Sequence, residues 1–438
     1  MSASGTMATS TSNQSWREKV AIFRSQRSTQ SRLLDGSLIM LVGSALVSIL
    51  NFAYNVAVAR LLGPAEFGHA ALAITLLMLV SAITLSFQLV CAKLVARNDA
   101  VETKAAVYQT LLRRSWRIGL ALGALLAIAA APIARYLNLP SPWMIIVLAV
   151  GFAFYVPVGA RRGGMQGMCS FRRLAGSYIT EALLKFIAAV LLVEFGVGAL
   201  GAIIAISLSV ICAYFLPVPA ELNTHTSLQL PASAGEAVQA IVFFVGQVII
   251  SNCDIVLVKH FFSAEIAGLY ATRALVGRLV YFASWMVVSA MFPISAGAKP
   301  GERSKSILAV PIALVVTISG GFVALFTAFP HLVLRSVFGA SFAGSGMDGI
   351  LPLCAAMAGV YSLSVVLITY EMSRRIANTA WVQMAAALAI VAGIFLFHST
   401  LTQVVLVQLV IMTALLAVVA LALLARHARL HSVLQEAA

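Results

Sequence analysis

The stretch 34–68 reads LDGSLIMLVGSALVSILNFAYNVAVARLLGPAEFG, and from 34 to 59 it carries no basic side chain. At 1.5 Å per residue, about twenty apolar residues cross a hydrocarbon core of roughly 30 Å, so 34–59 is long enough to span a membrane. A second apolar run, 69–92, begins directly after Gly68. The first run is not uniformly apolar. Ser44, Ser48, Asn51 and Asn55 recur at spacings of four, three and four, which places them on one face of a helix. The segment therefore reads as a transmembrane helix with one polar stripe.

The same pattern continues along the chain. Further candidate spans are 118–137, 142–160, 174–194, 197–218, 237–258, 267–292, 307–330, 349–370, 379–397 and 401–424. Of the 438 residues, 61% are hydrophobic and 10% charged. A soluble domain has about half apolar and a quarter charged residues. The reading is an all-α integral membrane protein of about twelve transmembrane helices.

The net charge of +14 is carried by loops and tails rather than by a contiguous basic face, so it points to membrane topology and not to nucleic acid. Basic residues gather in the amino-terminal tail, in 93–117, 161–173 and 299–305, at Arg374 and Arg375, and at Arg426 and Arg429. The alternate loops keep only Arg60, Arg135, Lys259 and Arg335. With the basic side inward, both termini are expected in the cytoplasm. Residues 1–33 then form a retained cytoplasmic tail, in which Trp16, Val20 and Phe23 lie on one side of a potential interfacial helix.

The polar stretch 219–236 divides the spans into two sets of six: an N-lobe, 34–218, and a C-lobe, 237–425, followed by a cytoplasmic tail, 426–438. An internal similarity supports the division. Arg60 to Gly68, RLLGPAEFG, follows the first span, and His260 to Gly268, HFFSAEIAG, follows the seventh. Two six-helix lobes in the same orientation, around a central cavity, are expected of such a duplication.

No phosphate loop, H-E-x-x-H, G-x-S-x-G or dinucleotide motif occurs, and the loops leave no room for a soluble catalytic domain, so no enzymatic activity is expected. Cys91, Cys169, Cys212, Cys253 and Cys354 are scattered and odd in number, so neither a disulfide framework nor a metal site is expected, and no cofactor is implied. Chemistry must lie in polar groups inside the spans, each of which is costly unless it meets water or a partner. Arg278 falls near mid-depth of the eighth span and Arg273 nearer its outer end, a possible cationic wall for an anionic substrate. Gln247, Ser251 and Asp254 repeat in the seventh span the stripe of the first, including Ser48, Asn51 and Asn55; facing stripes would line a cleft between the lobes. Glu181 and Lys185 are spaced for an ion pair, and with Asp254 they are the candidates for ion coupling; Gln88 is a further polar group that could face the cavity. Gly119 and Gly123 suit a close helix contact.

The segment Ala59–Gly68, ARLLGPAEFG, resembles the polysaccharide transporter family, the Wzx-type flippases, of the multidrug/oligosaccharidyl-lipid/polysaccharide (MOP) flippase superfamily. Arg60, Gly63, Pro64, Glu66 and Gly68 carry the resemblance, Gly268-Leu269-Tyr270-Ala271 matches the second-half equivalent, and Met165-Gln166-Gly167 with Phe171-Arg172 the loop after the fourth span. The resemblance implies a MATE-like two-lobe fold in a bacterial inner membrane. Its implied role is alternating-access translocation of an undecaprenyl-pyrophosphate-linked oligosaccharide for exopolysaccharide, capsule or O-antigen assembly. Expected partners are that glycolipid, membrane lipids, a polysaccharide polymerase and a chain-length regulator. Two other readings compete: a Na⁺- or H⁺-coupled multidrug exporter of the same superfamily, and a membrane-embedded glycan polymerase or ligase.

Overall fold

A computed structural model describes residues 8–223, 235–297, 304–344, 346–373 and 380–436. The expectations for most of the inter-lobe loop, for the basic residues around 299–303 and for Arg374 and Arg375 fall outside the described residues. Among those residues the chain is helical and holds no strand.

Thirteen α-helices follow in order: α1 Ala8–Arg97, α2 Val101–Ile128, α3 Ala130–Tyr136, α4 Trp143–Gly167, α5 Phe171–Leu192, α6 Gly198–Phe215, α7 Gly235–Phe261, α8 Ala264–Gly297, α9 Ser304–Ala328, α10 Pro330–Phe338, α11 Ile350–Ser373, α12 Ala380–Leu396 and α13 Leu401–Glu436. Two long apolar stretches, Leu38–Arg97 and Phe171–Phe215, each contain two of the expected spans. The first turns back at Gly63, whose φ of 74° and ψ of 177° lie outside the helical region and suit glycine. Pro64 follows and withholds a backbone donor there. The second stretch turns at Gly196 and Gly198, with φ of 82° and 64°. The third span is bent by 65° between α2 and α3. The remaining spans are single helices, so each sequence-derived span has a helical counterpart.

Helices α1 to α6 pack on one another, as do α7 to α13, and the two lobes meet where α1 lies against α7 and α8. The first lobe closes at Gly119 and Gly123, as their spacing predicts. A Cβ on Gly119 would lie 2.4 Å from the carbonyl oxygen of Ala153 in α4, and one on Gly123 would lie 2.8 Å from that of Ala149. Gly119→Val is therefore expected to push α2 off α4 and lower the detergent-state melting temperature. An unchanged transition in a thermal unfolding scan would show that the helices do not meet there. Away from these interfaces, side chains such as Ile128 and Phe195 are over 80% exposed, at 83% and 81%, as lipid-facing positions require.

Candidate functional site

Between the lobes lies a cavity of about 860 Å³. Its walls come from the two polar stripes: Ser48, Asn51 and Asn55 of α1 on one side, and Gln247, Ser251 and Asp254 of α7 on the other. Helical spacing explains why each triplet shares a face, and the α1–α7 packing explains why the faces meet. Lys185 of α5, Arg278 of α8 and Arg60 at the end of the first half of α1 also line it.

The cations are held differently. Arg278 donates through Nη2 to Asp254 Oδ1 at 3.0 Å and through Nη1 to Asn252 Oδ1 at 3.3 Å. Tyr270 donates its hydroxyl to the other Asp254 oxygen at 2.8 Å, so both carboxylate oxygens are occupied. Asp254 is 2% exposed and Arg278 17%, the guanidinium reaching toward the cavity. Lys185 donates to the Asn51 side-chain oxygen and sits 5.3 Å from the ring centre of Tyr54. The Lys185 ammonium is thus turned toward a neutral oxygen and an aromatic face.

One end of the cavity is sealed by contacts between the lobes. Arg60 donates to the backbone carbonyls of Ser336 and Val337 in the last turn of α10, where the helix dipole favours a cation. Asn138 donates to the carbonyl of His260 at 3.0 Å, Lys259 donates to that of Asn138 at 3.1 Å, and the His260 ring lies on Tyr136 with centres 3.8 Å apart. Phe67 packs on Phe338 and Phe342 across the same junction. The backbones touch at Gly68 and Gly268, where a Cβ on Gly268 would stand 1.8 Å from the Pro64 carbonyl oxygen. At the opposite end the cavity reaches Ile49 of α1 and Phe282 of α8, 64% and 53% exposed, so it opens toward the surface between those helices.

The family motif has a local explanation here. Gly63 and Pro64 make the turn, Glu66 accepts the Ala199 backbone N–H at 3.0 Å and caps the start of α6, and Gly68 with Gly268 allows the lobes to touch. Arg60 is a bridge to the second lobe.

Three expectations are corrected. Arg273 does not face the cavity; it is fully buried, donating to the carbonyls of Leu269 at 2.8 Å and of Phe342 and Met347 at 3.2 Å each. Five residues along a helix turn a side chain by about 140°, which separates it from Arg278. Glu181 and Lys185 do not pair with each other. Arg162 of α4 takes Glu181 at 2.6 Å, with Ser177 as a further partner at 3.1 Å, because a rigid guanidinium fork reaches carboxylate and hydroxyl together. Gln88 lies outside the cavity, donating to Gln166 at 3.0 Å and accepting from Tyr178 at 2.7 Å, a bond between helices. Arg162, Asn252, Tyr281 and Tyr361 escaped the sequence reading. Arg162 follows Arg161 at the end of a span and reads as a loop residue, and aromatic residues in an apolar run carry no signal of their own. No group of histidine, cysteine and carboxylate side chains suited to a metal occurs among the described residues.

The described helices form two bundled lobes around a largely apolar cavity that carries polar and charged side chains and is sealed at one end. Solved structures agree on the fold. A multidrug resistance MATE family transporter of the MOP superfamily in an inward-facing conformation has a TM-score of 0.73 at 15% identity, over 92% of this chain and 99% of that one. A MOP superfamily transporter from Pyrococcus furiosus has a TM-score of 0.56 at 16% identity, over 89% of this chain and 94% of that one. No curated protein matches in sequence. The model of a polysaccharide biosynthesis protein family matches residues 57–347, and the chain belongs to that family.

Proposed function

We propose that the chain is a flippase that moves a polyprenyl-diphosphate-linked oligosaccharide across a bacterial inner membrane by alternating access. The observation that carries this reading is the charge of the cavity wall: Arg60, Lys185 and Arg278 against one carboxylate, Asp254, which is already engaged by Arg278 and Tyr270. Such a wall attracts a diphosphate and repels organic cations, which disfavours the multidrug-exporter reading. The polar stripes suit a hydrophilic glycan. The opening at Ile49 and Phe282 lets a prenyl tail stay in lipid while the head enters.

The basic loops orient the molecule with both termini in the cytoplasm, so the sealed end faces outward and the cavity is loaded from the inner leaflet. Transport then requires the Arg60 and His260 contacts to part as the opposite end closes. A membrane-embedded polymerase or a chain-length regulator would act on the delivered repeat unit as a partner. The expected result, with purified protein in vesicles, is transfer of a fluorescent undecaprenyl-diphosphate oligosaccharide between leaflets, with no efflux of cationic dye. Dye efflux without lipid transfer would replace this reading with that of an exporter.

A further inference from the structure

We propose that Lys259 is a built-in release for the sealed end: closure buries its ammonium between the lobes without a counter-charge, and this keeps the seal reversible. The inference rests on the alternating-access part of the flippase reading and not on the substrate. The other contacts at that end favour closure: Arg60 on the α10 carbonyls, His260 on Tyr136, and Phe67 on Phe338 and Phe342. Lys259 is different. It stands in the last turn of α7, fully buried, and donates to the Asn138 carbonyl of the other lobe at 3.1 Å. An ammonium has three donors, and among the described residues neither a carboxylate nor an aromatic face attends this one. By contrast Arg162 and Arg278 each hold a carboxylate, Glu181 and Asp254.

A second basic group reaches the same place from the first lobe. His69 of α1 is 7% exposed, its Nδ1 is buried with no hydrogen-bond partner, and it is close enough to Lys259 to interact electrostatically. The carboxylate that acts on His69 is Glu66, which is exposed and accepts the Ala199 backbone N–H at 3.0 Å. Closure thus gathers two basic side chains from opposite lobes in a dry junction and leaves Lys259 without an acid of its own. Taking an ammonium out of water is unfavourable unless an opposite charge goes with it, and giving up the proton instead is unfavourable as well. Either way the sealed state bears the penalty. Parting of the lobes breaks the bond to Asn138, sets Lys259 in water and relieves it. Stacked rings, apolar contacts and touching backbones alone would make a seal that is hard to reopen.

The test compares Lys259→Gln, which removes the charge and keeps a donor for Asn138, with Lys259→Arg, which keeps both, on the full-length protein in nanodiscs. Lys259→Met is a second neutral variant in case the first does not fold. One readout is the melting temperature. The other is the distance between nitroxide labels on Glu194→Cys and Glu265→Cys, exposed residues of the first and second lobes, with Cys169 and Cys212, the two cysteines that are not buried, replaced by serine. A Gly268→Ala background weakens the seal so that both forms are populated. The neutral variants are expected to melt higher than wild type and to shift the populations about tenfold toward the short, sealed distance. Lys259→Arg is expected to do neither. A lower melting temperature with longer distances in the neutral variants would make Lys259 a clasp and overturn the proposal. Unchanged readouts, or equal tightening by Lys259→Arg, would overturn it too. Neither readout uses a lipid substrate, so both decide this proposal even if the glycolipid probe is not transferred.

Discussion

Replacing Arg278 with alanine is expected to abolish glycolipid translocation and to destabilise the protein at the same time. The substitution removes the cation nearest mid-depth and strands Asp254, 2% exposed, with Tyr270 as its hydrogen-bond donor. Removing one partner of a buried pair costs about 3–5 kcal/mol, much of it from the charge left behind. The two effects separate in the double variant Asp254→Asn, Arg278→Gln, which eliminates both charges. Its melting temperature is expected to recover toward wild type while transport stays at least tenfold reduced. Near-normal transport by this variant would show that the pair serves packing alone and that the anion is handled elsewhere.

A second large effect is expected at Gly268. Valine there would place a Cβ 1.8 Å from the Pro64 carbonyl oxygen, a backbone atom that cannot swing away. Overpacking of this kind costs about 3 kcal/mol in the sealed state, which shifts the balance between sealed and unsealed forms by about two orders of magnitude. The lobes themselves should fold, because Gly268 meets the other lobe and not its own. Labelling of an introduced Asn55→Cys by a membrane-impermeant thiol reagent added outside should rise, with Gly268→Ala intermediate. Unaltered labelling across that series would mean that Gly68 and Gly268 do not close the cavity on that side.

Much of the fold is legible in the residues because the bilayer imposes a length on every span and loops collect the basic charge. The Gly119 and Gly123 contact and the two polar stripes are local patterns, and each corresponds to a feature of the structure. Pairing partners are a different matter. Glu181 has Lys185 one turn away and still binds Arg162, nineteen residues back and on another helix. A helical repeat says which residues share a face; it does not say which neighbouring helix offers the better donor. Arg273 is the same lesson in reverse. Its partners are backbone carbonyls of a loop some seventy residues distant, at Phe342 and Met347, and carbonyls have no sequence signature.

Arg273 has a further consequence. By tying that loop to α8, it makes the segment after α10, with Phe342 against Phe67, part of the second lobe's body. The sealed end is then no hinged flap that could lift alone. Opening it displaces whole helices sideways against the surrounding acyl chains, so the turnover rate of the protein should depend on the thickness and fluidity of the membrane that holds it.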